Sequence, residues 1–126
     1  MQDLSLITDL AKAVYEANKL KGFWDEPVPS FPEKVMTIVT GLAEAVEAHK
    51  NGNHAAPGAL ERAMAERPFA PSRFQYLVKG MVEDKLADAF MRLFDICGQL
   101  GIDIGKHIEA KLEYNKTRPY KHGKLY

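Results

Sequence analysis

Several features that usually announce a function are scarce or missing in this chain. It has a single cysteine, Cys97, so no disulfide framework can form within it, and its apolar neighbours give that thiol the place of a small core residue. Its 17 basic and 17 acidic side chains cancel to a formal charge of zero. No global field then draws the chain to nucleic acid or an anionic membrane, and neither is expected as a partner. No apolar run approaches the roughly 18 residues of a membrane span. The opening "MQDLSLITDLAKAVYEANKL" carries Asp3 and Asp9 where a signal peptide needs a basic start and an unbroken apolar stretch. A cytoplasmic protein is the expectation. There is no G-x-x-x-x-G-K-[ST] phosphate loop and no G-x-S-x-G nucleophile elbow. His49, His54 and His107 lack zinc spacing with the lone cysteine and read as surface residues.

What is present is helical patterning. A chain of 126 residues, 46% hydrophobic and 27% charged, suits one domain over residues 1–126 with a modest core. Leu4, Ile7, Leu10, Ala11, Val14 and Ala17 recur at three and four, which predicts a helix over about 2–21 that stops near Gly22. Pro27, Pro29 and Pro32 make the following stretch an extended connection. A second helix is predicted over 33–50, with Val35, Ile38, Val39, Leu42 and Val46 as its core stripe. Gly41 is odd inside it, because a mid-helix glycine costs about 0.5–1 kcal/mol relative to alanine. After a short helix in "ALERAMAER", long and final helices are predicted over about 73–99 and 104–115, followed by a basic, aromatic tail over 116–126. No alternating strand pattern persists. The expected fold is all-α, a four-helix-bundle type, with enough apolar helix surface to favour a homodimer or homotetramer.

The segment "VEDKLADAFMRLFD" raises the chemical question. Asp84, Asp88 and Asp95 stack at i, i+4 and i+11 on one face of an otherwise apolar helix. Glu44 and Glu47 on the second helix can oppose them. Carboxylates gathered in a bundle repel one another, and oxygen-only ligands suit Mg²⁺, or Mn²⁺, better than zinc. The plainer alternative is that these acids pair with Lys79, Lys85 or Arg92 on a solvated face.

"KGFWD" at 21–25, "IVTGLAEAVEAHK" at 38–50, "VEDKLADAFMRLFDICGQLGIDI" at 82–104 and "KLEYNKTRPYKHGK" at 111–124 together resemble the MazG-like, all-α nucleoside triphosphate pyrophosphohydrolases. The resemblance covers most of the chain, sparing mainly residues 51–71. It implies Mg²⁺-dependent hydrolysis between the α and β phosphates of a nucleoside triphosphate, giving monophosphate and pyrophosphate, in a helical oligomer. By the same resemblance Glu44 and Asp88 are the catalytic carboxylates and metal ligands, and Glu47 and Asp84, near them in helical phase, are the further expected metal ligands. Trp24 would stack on a base, unless it is an anchoring core tryptophan. Lys111, Asn115, Arg118, Lys121 and His122 would bind the triphosphate, unless they form only a solvated basic tail. Two positions depart from the pattern: Gly41 and Lys85 stand where glutamates belong. An ammonium on Lys85 facing Glu44 would neutralise the remaining acids much as a metal does. The alternative function is therefore a catalytically degenerate homologue that binds nucleotide or a protein partner without turnover, and a purely structural helical oligomer is the third.

Overall fold

A computed structural model describes residues 2–125. The described residues are helical throughout their regular structure, in the order α1 (Ser5–Leu20), α2 (Phe31–Lys50), α3 (Ala59–Met64), α4 (Pro71–Leu77), α5 (Val82–Leu100) and α6 (Ile104–Lys116), with a 3₁₀ turn at Tyr120–Gly123. None of these helices is long and apolar enough to cross a membrane. The chain divides into two compact units, one holding the residues up to Val28 and from Phe94 onward, the other Pro29–Leu93. Helix α5 contributes to both.

In the first unit α1 packs on α6, and Ala11, Val14 and Ile96 are buried. Glycines allow the close approach. A Cβ on Gly98 would lie 2.5 Å from Tyr15 Cβ and 2.7 Å from the Ala11 carbonyl oxygen, and a Cβ on Gly105 would collide with the Leu4 carbonyl. A polar clasp fixes the start of α6. The buried Thr8 hydroxyl donates to Asp103 Oδ1 at 2.6 Å and accepts from the Gly105 N–H at 2.8 Å. Asp103 also caps α6 by accepting from the Lys106 N–H, and these bonds, the Thr8 hydroxyl foremost, hold its carboxyl below the usual range.

In the second unit α3 packs on α4, with Ala59, Ala63 and Val78 buried. Ser30 opens α2 as a capping box: its side chain accepts from the Glu33 N–H, and the Glu33 carboxylate reaches back to the Ser30 N–H. The buried stripe of α2 is Ile38, Gly41, Ala45 and Ala48, whereas Val39, Leu42 and Val46 of the expected stripe are exposed. Small residues let α2 sit close to its neighbours, so the larger apolar side chains turn outward. The expected helix over 73–99 is interrupted. Val78 departs from helical geometry, Gly80 takes a left-handed φ of 84°, and α5 begins afresh at Val82.

Candidate functional site

The three aspartates of α5 have different surroundings, and local structure explains two of them. Asp84 sits in the first turn of α5, where its carboxylate accepts from the Gly80 N–H at 2.9 Å and stands at the positive end of the helix. Asp95 is only 3% exposed and accepts from the Trp24 indole N–H at 2.8 Å. The Trp24 ring also meets Tyr15 edge-to-face at 5.7 Å. Trp24 is thus held by Asp95 and Tyr15 within the first unit. Asp88 is half-buried, i+3 from Lys85 and i−4 from Arg92, so both cations share its side of α5.

On α2, Glu44 meets a cation from within the chain. Lys85 Nζ lies 3.6 Å from Glu44 Oε2, with the lysine side chain 26% exposed and the glutamate 54%. At that exposure the pair contributes about 0–1 kcal/mol. Glu47 pairs instead with its neighbour Lys50 at 3.5 Å. Gly41 is buried, and a Cβ there would stand 2.8 Å from the Arg92 guanidinium, which donates to the Thr37 carbonyl oxygen at 3.4 Å. Sequence patterning offered Arg92 only as a surface partner of the acids. The signal that could have found it is its i+7 spacing from Lys85, which puts both side chains on the face of α5 that carries Asp88.

The four expected carboxylates do not gather into one cluster. Among the described residues no three His, Cys, Asp or Glu side chains gather where they could hold a metal. Of the four expected ligands, Asp84 is committed to the Gly80 N–H and Glu47 to Lys50, while Glu44 faces an ammonium. A Mg²⁺ ion here would rest on one or two of these carboxylates and several waters.

The C-terminal residues make a separate cluster in the first unit. Lys111 Nζ lies 5.1 Å and the Arg118 guanidinium 5.7 Å from the Tyr114 ring centroid, so two cations flank one aromatic ring near the end of α6. Their charge also suits a helix C-terminus. Lys121 and His122 are exposed and both left-handed, with φ of 54°, in the turn after Pro119. The Asn115 side-chain oxygen Oδ1 is buried without a hydrogen-bond partner among the described residues. That oxygen is an acceptor, so only the Nδ2 of the same amide could meet a phosphate oxygen. A cleft lined by Gln2, Glu109, Leu112, Glu113 and Lys116 carries two carboxylates, the wrong charge for a triphosphate.

Glu83 is a further polar centre, which sequence reasoning missed. Its carboxylate accepts from the Ala55 N–H at 2.9 Å and meets His54 Nδ1 at 3.1 Å, while His54 Nε2 lies 2.9 Å from His49 Nδ1. The Ala55 backbone bond, with His54 adding to it, brings the Glu83 carboxyl down to about 2. Because a carboxylate can only accept, His54 Nδ1 carries the proton. The pair ties the loop after α2 to the start of α5.

Compared with protein-family models, curated proteins and solved structures, the chain gives no match.

Proposed function

We propose that this is a MazG-like helical protein that binds a nucleoside triphosphate, or a modified or deoxy version of one, without hydrolysing it. The observation that carries the second half of this reading is the Lys85 ammonium 3.6 Å from Glu44, in the place where metal-dependent hydrolysis needs a glutamate. The nucleotide half is supported by the sequence resemblance and by the Lys111, Tyr114 and Arg118 cluster, which combines an aromatic face with two cations of the kind that grip phosphate oxygens. In this reading Trp24 is structural, Mg²⁺ and Mn²⁺ are dispensable, and the protein works in the cytoplasm as a homodimer or homotetramer. Self-association is supported by the outward-facing Val39, Leu42 and Val46 of α2, apolar surface that small monomers seldom leave uncovered.

A protein partner is the second reading, favoured by that same apolar face. Calorimetric titration with nucleoside triphosphates in chelator separates the two. Saturable binding that falls about tenfold or more in Arg118→Ala supports the nucleotide reading, the cost expected for losing a charged hydrogen bond. Absence of binding to any triphosphate, canonical or modified, would reject it.

A further inference from the structure

We infer that Lys85 and Arg92 replace a divalent cation, so that the face joining α2 and α5 in the second unit is charge-balanced by the chain itself and takes no metal. Lys85 and Arg92 are seven residues apart, nearly eclipsed on α5, with Asp88 one turn from each. Lys85 Nζ meets Glu44 and the Arg92 guanidinium lies against Gly41, so the stretch of α2 from Gly41 to Glu44 faces two cations of α5. Arginine keeps its charge at any pH a protein meets. A divalent ion entering here would be repelled by both cations.

Gly41 completes the arrangement. A side chain at that position would start 2.8 Å from the Arg92 guanidinium, so glycine leaves the room in which the guanidinium lies. Gly41 and Lys85 thus act on the same stretch of α2: the glycine leaves space that the Arg92 guanidinium occupies, and the lysine sets an ammonium against Glu44. Relative to the two glutamates that the resemblance would place at 41 and 85, this face carries three more positive units, one from Gly41 and two from Lys85, by counting ionised side chains. That is enough to offset a divalent ion. This inference concerns only charge within the second unit. It stands or falls without reference to whether the chain binds nucleotide.

The test is Mn²⁺ binding by the full chain, read from loss of the free-ion electron paramagnetic resonance signal, together with melting temperature in Mg²⁺ and in chelator. The wild-type chain should leave the free Mn²⁺ signal undiminished and melt at the same temperature in both solutions. The Gly41→Glu, Lys85→Glu double variant should bind Mn²⁺ and melt several degrees higher in Mg²⁺ than in chelator, because a ligand that binds only the folded state stabilises it. Should the double variant fail to fold, Lys85→Gln, which removes the ammonium without adding an acid, should bind Mn²⁺ more strongly than wild type. Mn²⁺ binding by the wild-type chain, or wild-type Mn²⁺ behaviour in every folded variant, would overturn the inference.

Discussion

The indole N–H of Trp24 and the carboxylate of Asp95 meet at 2.8 Å, and the aspartate is 3% exposed. The bond joins the connection after α1 to α5 inside the first unit, and it gives a buried acid a donor. Trp24→Phe keeps an aromatic ring but removes that donor. It should destabilise the chain by about 1 kcal/mol, the net worth of the hydrogen bond it removes. Urea denaturation of the two proteins checks this, and equal midpoints would show the bond to be dispensable.

Two helical glycines should respond to alanine in different ways. Gly98→Ala brings a methyl group to 2.5 Å from Tyr15 Cβ and 2.7 Å from the Ala11 carbonyl oxygen, neither of which is the end of a flexible side chain. A loss of about 1–3 kcal/mol is expected from this overpacking. Gly41→Ala meets only the movable Arg92 guanidinium, at 2.8 Å. There the helix propensity of alanine, favourable by about 0.5–1 kcal/mol, should leave stability equal or slightly higher. Thermal unfolding of both variants distinguishes the two outcomes.

The Glu83 clasp should make the second unit sensitive to acid. Its carboxyl is lowered from 4.5 to about 2 in the folded chain by the Ala55 N–H and His54. A depressed folded value means the ionised form is favoured by folding. The contribution is complete above the unfolded value of 4.5 and is lost as pH falls toward 2. Glu83→Gln should be less stable than wild type at neutral pH, and the two unfolding curves should converge on acidification through that window. A constant difference from neutral pH down to about 2 would contradict the assignment.

The capping box at Ser30 predicts a smaller, local effect. Ser30→Ala removes the acceptor for the Glu33 N–H and should cost about 1 kcal/mol, seen as a lower urea midpoint with an unchanged slope.

The helices were legible in the sequence wherever apolar spacing and breakers agreed. The expected spans over 33–50 and 104–115 correspond to α2 and α6. The division of the long helix was harder to see, because Val78 and Met81 continue the apolar pattern while only Gly80 interrupts it, and one glycine is tolerated inside many helices. The buried side of α2 was misjudged for a related reason: size and hydrophobicity pointed to Val39, Leu42 and Val46, yet close approach favours Gly41, Ala45 and Ala48. For the candidate site, the facing of Lys85 and Glu44 was expected from the resemblance, since helical phase does not say which helices lie opposite one another. The bonds of Asp84 to Gly80 and of Asp95 to Trp24 did not, since the same phase that stacks three acids is silent about which donors the backbone breaks and distant loops bring to them. Arg92 was weighed only as a surface partner, because its place against Gly41 depends on how closely the helices approach.

The most direct measurement is pyrophosphate release from nucleoside triphosphates by the purified chain, in Mg²⁺, in Mn²⁺ and in chelator. With Lys85 held against Glu44 and Arg92 filling the space beside Gly41, no metal-dependent release is predicted for any substrate, while triphosphate binding persists in chelator. Pyrophosphate release that requires Mg²⁺ or Mn²⁺, and disappears in Asp88→Asn, would contradict the account and restore the hydrolase.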